Sequence, residues 1–182
     1  MNQLTELDVL RDVIIRLENT NIDYMLTGSL AMNYYAQPRM TRDIDIVAAI
    51  DVNDIERILE IFAVEYYISG QSVADAVRNA TMFNLVHLES VVKVDVIVRK
   101  AGEFRQHEFN NRLKVQIADF STWIVSKEDL ILSKLCWAND TGSEMQLMDI
   151  RNLLGSDPDI TYLRQWAGTL GVQDLLEQCL HE

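Results

Sequence analysis

The chain has 182 residues, 48% of them apolar and 24% charged, with only two prolines; that length and composition support a real hydrophobic core and exclude a disordered or low-complexity segment. The net charge of -12, from 28 acidic and 16 basic residues, disfavours non-specific adhesion to nucleic acid or to an anionic membrane, so a nucleic-acid substrate would need a local basic patch. No apolar run approaches the roughly 20 residues of a membrane-spanning helix, and the opening MNQLTELDVLRDV does not read as a secretory signal.

Residues 3–19 carry Leu4, Leu7, Leu10, Val13, Ile14 and Leu17 at helical spacing. A short strand is predicted over 24–26, a turn at Gly28-Ser29, and then a helix that Pro38 stops. Residues 43–50 alternate carboxylates with β-branched residues and read as a strand, followed by a helix over 51–63 whose Asp51 and Asp54 suit its positive end. Two β-rich runs, 81–88 and 91–98, are joined at Glu89-Ser90 as a hairpin, and a third run, 113–118, extends the same sheet. From Ser126 onward the pattern is helical, with breaks near 155–158 and at Gly171. The organisation expected is an α/β half over 1–120 and a helical lobe over 121–182. Cys136 and Cys179 are too few for a disulfide scaffold, which favours a reducing, cytoplasmic location, and His87, His107 and His181 share no zinc-ligand spacing.

The sharpest feature is TGSLAMNYYAQPRMTRDIDIV, residues 27–47. On a strand Asp43 and Asp45 share one face while Ile44 and Ile46 take the other. Two carboxylates so placed repel by up to about 4 kcal/mol at close range, a cost relieved by solvent or by a hard cation such as magnesium. In VVKVDVIV the residues Val92, Val94, Val96 and Val98 take one face and leave Lys93, Asp95 and Ile97 on the other. If that strand lies beside the Asp43 strand with matching faces, Asp95 joins the pair, and three carboxylates around divalent metal suit in-line phosphoryl or nucleotidyl displacement. Gly28-Ser29, between a strand and a helix start, suits a phosphate: backbone N–H groups are free there and the helix dipole is positive.

Gly28-Ser29, a 13-residue gap and then Asp43-Ile44-Asp45-Ile46 resembles the signature of the DNA polymerase beta-like nucleotidyltransferase superfamily. Arg39, Thr41 and the aspartate pair in PRMTRDIDIV look especially like its minimal bacterial members, the AbiEii-type (abortive-infection type IV) toxins. EDLILSKLCWAND followed by MDIRNLL is similar to that family's C-terminal pattern. The resemblance implies an α+β fold, a nucleotidyltransferase-like mixed β-sheet flanked by helices with a C-terminal helical lobe. It implies that Asp43, Asp45 and Asp95 are catalytic and bind Mg2+, with Asp95 helping to deprotonate the attacking hydroxyl. Gly28, Ser29, Thr41 and Lys134 would hold the nucleoside triphosphate, and Asp149 would complete the last motif. The chain departs from the pattern just before Asp149, where SEMQLMD has no basic residue.

The expected reaction is transfer of a nucleoside monophosphate from a triphosphate to a hydroxyl acceptor, such as a tRNA end, with a cognate antitoxin as a possible partner of toxin-like members. Residues 93–114 hold six basic residues (Lys93, Arg99, Lys100, Arg105, Arg112, Lys114) against three acidic ones, a local excess able to guide RNA or simply a solvated face. A small-molecule acceptor such as a cationic antibiotic suits the overall charge, and a catalytically silent module that binds a protein partner is the non-enzymatic alternative. Trp123, Trp137 and Trp166 are expected in core packing. No GxxxxGK phosphate loop and no serine-hydrolase elbow is present.

Overall fold

The computed structural model describes residues 4–41 and 43–181. Helix α1, Glu6–Asn19, begins where Thr5 and Asp8 exchange a capping box. Its apolar stripe buries Val9, Leu10, Val13, Ile14 and Leu17, each side chain contributing about 1.5–3 kcal/mol by leaving water. Strand β1, Tyr24–Thr27, leads directly into α2, Gly28–Tyr35, so Gly28 is the first residue of the helix rather than part of a separate turn. Strand β2, Asp43–Ala48, buries Ile44, Ile46 and Ala48 and turns Asp43 and Asp45 to the opposite face.

The helix expected over 51–63 is divided. Asp51 and Asp54 cap each other, and the Asp54 N–H donates back to the Asp51 carbonyl at 3.1 Å, which tightens Val52–Asp54 into a 3-10 turn before α3, Ile55–Phe62. Strand β3, Tyr66–Tyr67, and helix α4, Gly70–Asn79, follow. The hairpin is β4, Met82–His87, against β5, Lys93–Val98. Its turn is longer than Glu89-Ser90, because the His87 ring engages Ser90 through both the backbone N–H (3.2 Å) and the hydroxyl (2.9 Å).

Helix α5, Glu103–Asn110, is held by buried Phe104 and Phe109. The run at 113–118 becomes β6, Leu113–Ile117, in the same sheet but at the edge opposite the hairpin, paired with β7, Phe120–Ile124. Among the described residues the sheet has seven strands in the order β3-β4-β5-β2-β1-β7-β6, with β2–β5 and β1–β7 parallel and the other pairs antiparallel. This is the mixed, helix-flanked α+β sheet expected of the sequence.

Four helices complete the described chain: α6, Lys127–Thr141; α7, Glu144–Leu154; α8, Ile160–Leu170; and α9, Gln173–His181. Ser126 caps α6 by accepting the Asp129 N–H at 3.2 Å. The Asp129 carboxylate is itself buried and receives Ser126 Oγ (2.6 Å), the Asn111 amide (2.9 Å) and the Tyr162 hydroxyl (2.6 Å), which binds α5, α6 and α8 together. One tryptophan departs from expectation: Trp137 is 55% exposed, because the buried stripe of α6 runs through Leu130, Ile131, Leu135 and Ala138 instead. No described helix is long and apolar enough to cross a membrane.

Candidate active site

The parallel register of β2 and β5 sets Asp43 opposite Lys93 and Asp45 opposite Asp95. Paired positions on neighbouring strands share a face, so three carboxylates and one ammonium form a square on the side of the sheet away from Ile44, Ile46, Val94 and Val96. Burial rises across the square: Asp43 is exposed, Asp45 half-buried and Asp95 buried. Burial, then the charges of Asp95 and Asp43, hold the Asp45 carboxyl above its ordinary value, against the backbone N–H of Ser29 and the charge of Lys134.

Both oxygens of Asp95 have donors. Lys93 Nζ reaches Oδ2 at 2.9 Å, and the side-chain amide of Asn84, the residue opposite on β4, donates to Oδ1. Among the described residues no three His, Cys, Asp or Glu side chains are already gathered as a metal cage. The donor chemistry nevertheless fits a hard divalent cation, because Asp43 and Asp45 offer only carboxylate oxygens on one face and Asp45 is destabilised by its like-charged neighbours.

Gly28 abuts this square. Its φ of +65° is left-handed, and a Cβ added there would stand 2.0 Å from Asp45 Oδ2. Only glycine therefore lets α2 start against that carboxylate. Thr27, the N-cap of α2, makes no side-chain capping hydrogen bond, and at this positive end of the helix the backbone N–H of Ser29 is directed to the Asp45 carboxylate.

Ser29 connects the helix start to a second cluster. Arg39 Nη2 donates to Ser29 Oγ at 2.6 Å and to Asp149 Oδ2 at 3.0 Å, while Arg39 Nε donates to Asp149 Oδ1 at 2.8 Å. Lys134 Nζ donates to the same Asp149 Oδ2 at 2.7 Å and to Gln146 Oε1 at 2.9 Å. Lys134 and Asp149 are 4% and 3% exposed, so this lysine is not the solvated residue of an amphipathic helix. Burial pushes the Asp149 carboxyl up, but the hydrogen bonds from Arg39 and Lys134 outweigh it and hold it low. Burial pushes Lys134 below its ordinary value, aided by the charge of Arg39 and opposed by Asp149 and Asp45. The cation that SEMQLMD lacks beside Asp149 is thus supplied by Arg39, 110 positions away in sequence.

The segment that carries Arg39 is fixed from both sides. Asn33 exchanges two 2.9 Å hydrogen bonds with the Arg39 backbone, and Asn152 does the same with Gln37 at 2.8 and 3.2 Å. Thr41 stands outside the cluster, its hydroxyl 3.4 Å from the Asp43 carbonyl oxygen. The structure therefore brings together Gly28, Ser29, Asp43, Asp45, Asp95, Lys134 and Asp149 and adds Arg39, Lys93, Asn84 and Gln146. Arg39 has a local signal, its place in PRMTRDIDIV, and Lys93 another, its place on the Asp95 face of VVKVDVIV; Asn84 and Gln146 sit at strand and helix positions where only pairing shows their use.

The basic residues of 93–114 are largely engaged. Lys93 pairs with Asp95, Arg105 with Glu108 and Arg112 with Asp23, while Arg112 also stacks on Phe109 and Trp123. Arg99 lies over Phe109 and Lys114 over Trp123.

The fold has solved counterparts. The antibiotic-resistance factor ANT(2'')-Ia is 13% identical with a TM-score of 0.63, covering 98% of each chain. The lincosamide antibiotic adenylyltransferase LnuA is 18% identical with a TM-score of 0.57, covering 86% of this chain and 100% of its own. A nucleotidyltransferase-like protein from Paracoccidioides brasiliensis is 19% identical with a TM-score of 0.58, covering 97% and 92%. At these identities the likeness is one of fold, and no curated protein matches the sequence. A family profile described as "Nucleotidyltransferase of unknown function (DUF6036)" matches residues 2–165. The chain belongs to that family and is a nucleotidyltransferase.

Proposed function

We propose that this enzyme transfers a nucleoside monophosphate from a nucleoside triphosphate to a hydroxyl acceptor in a magnesium-dependent reaction. The observation that carries the reading is the β2–β5 register, which gathers Asp43, Asp45 and Asp95 on one face beside the uncapped start of α2. Asp43 and Asp45 would hold Mg2+ with Asp95 as the third carboxylate, and the ion would supply neutralisation of the charge that develops on the phosphates. The α2 N–H groups and the Ser29 hydroxyl donate to phosphate oxygens, Lys134 adds positive charge behind them, and Thr41 flanks the entrance.

The acceptor oxygen attacks the α-phosphorus in line and forms the new O–P bond. The bond from that phosphorus to its bridging oxygen breaks, and pyrophosphate leaves with the electron pair. The acceptor proton passes to a carboxylate oxygen of Asp95.

Two acceptors divide the reading. An AbiEii-type role, supported by PRMTRDIDIV, takes an RNA end and involves a cognate antitoxin. A cationic small molecule is favoured by the net charge of -12 together with the engagement of Lys93, Arg105 and Arg112 by acids, which leaves less free positive charge for RNA. Calorimetric titration of each nucleoside triphosphate, with and without Mg2+, into wild-type and Asp43→Ala/Asp45→Ala protein tests the site. Magnesium-dependent binding lost in the double variant is expected; no binding by any triphosphate to folded wild-type protein overturns the reading in favour of a silent binding module. Nucleotide-loaded protein offered bulk tRNA and an aminoglycoside panel then separates the acceptors.

A further inference from the structure

The fourth corner of the square is occupied by a lysine, and that has consequences for metal binding. Lys93 lies directly opposite Asp43 and two residues before Asp95 on the same face, so its ammonium is the only cation within that square of paired positions. It is 2.9 Å from Asp95 Oδ2, and its side chain is 42% exposed while that of Asp95 is 12% exposed. The other Asp95 oxygen is taken by Asn84, a neutral amide on the adjacent strand.

Resting on the assignment of Asp43, Asp45 and Asp95 as the metal-holding carboxylates, we propose that Lys93 is a built-in counter-cation that competes with the divalent ion for Asp95. With no metal bound it neutralises part of the like-charge repulsion and keeps Asp95 aimed across the strand pair. A divalent ion held by this carboxylate would meet a positive charge already at hydrogen-bond distance, so Lys93 would have to swing away for the ion to bind. The geometry permits this: the lysine is near the solvent edge and has four flexible methylenes, whereas Asp95 is buried and held in place by Asn84. The asymmetry decides which group moves. A flexible, half-exposed ammonium is displaced, and the buried carboxylate stays.

The test is Mn2+ affinity, read by the loss of the free-ion paramagnetic resonance signal and cross-checked by Mg2+ competition, for wild type, Lys93→Met and Lys93→Arg. Lys93→Met is expected to bind Mn2+ about tenfold more tightly, the factor that a 1.4 kcal/mol difference produces, and Lys93→Arg, which keeps the charge, is expected to stay near wild type. The metal-free Lys93→Met protein should also melt lower than wild type, and added Mn2+ should restore more of its Tm than it adds to wild type. If Lys93→Met binds Mn2+ with unchanged or weaker affinity while wild type binds, competition is overturned and the metal assignment stands. If neither protein binds Mn2+ although both melt cooperatively as folded chains, both the competition and the metal assignment fall. Should Lys93→Met fail to fold, Lys93→Gln, which keeps a hydrogen-bond donor for Asp95 without the charge, carries the same expectation.

Discussion

The carboxylate square on β2 and β5 and the Arg39–Asp149–Lys134 cluster lie side by side, bridged by Ser29, yet they solve opposite electrostatic problems. The square sets three acids against one lysine at a partly open face, and its middle carboxyl is held above the ordinary value by burial and by like charge. The cluster sets two cations against one buried carboxylate whose value is held low once hydrogen bonds outweigh burial. One region retains unrelieved repulsion, which a ligand can discharge. The other is internally satisfied and joins the start of α2 to the C-terminal helices. Unrelieved charge marks where a substrate or ion acts, and satisfied charge marks what holds the walls in place.

The comparison breaks most sharply if both acids of the square can be removed without loss of function. Asp43→Ala/Asp45→Ala should reduce nucleotide transfer to background, measured with radiolabelled triphosphate, while Tm is unchanged or higher because repulsion is relieved. In the cluster the effect should fall on stability instead. Asp149→Ala leaves Lys134 buried without its carboxylate and should cost about 3–5 kcal/mol in chemical denaturation. Because the Asp149 carboxyl is held low, its contribution is present above the ordinary value of 3.8 and is lost as pH falls through the folded value.

Gly28→Ala probes the boundary between the two regions. The left-handed φ costs about 1–3 kcal/mol for a residue with a Cβ, and the methyl group must displace Asp45, so triphosphate affinity and stability should fall together. A smaller effect of opposite sign is expected for Asp45→Asn. Its carboxyl is raised, so the charged form penalises the fold as pH rises through the folded value; the amide should raise Tm at neutral pH by roughly 2–4 °C. That gain should vanish below the ordinary value of 3.8, where both carboxyl states are protonated. The smallest change serves as a control: Arg11→Ala breaks an exposed pair with Asp119 that belongs to neither cluster and should cost about 0.2–1 kcal/mol.

Much of the fold was legible in the sequence where a single period ran long enough. The stripe from Val9 to Leu17, the alternation in DIDIVA and VVKVDVIV, and the helical pattern that opens at Ser126 each correspond to an element. The short strand β3, helices α4 and α5, and strand β7 were not anticipated. Their burial depends on partners: Phe104 and Phe109 in α5 are separated by charged and polar residues, and only the packed neighbours tell which side is inside. Gly28, Ser29 and the Asp43/Asp45 pair could be singled out because strand alternation and the strand-to-helix junction are local properties.

The sequence by itself determined the alternation that puts Asp43 and Asp45 on one face and Asp95 among valines, since a side-chain period of two is a property of each strand alone. It also determined the membership in a nucleotidyltransferase family that its profile match expresses. Only the tertiary structure decided that β5 lies parallel to β2 with Asp45 opposite Asp95, that Lys93 falls into the same square, and that Arg39 reaches Asp149 across 110 positions. Strand register and long-range ion pairs depend on how whole faces bury against one another, and no local pattern in the chain encodes which strand becomes the neighbour.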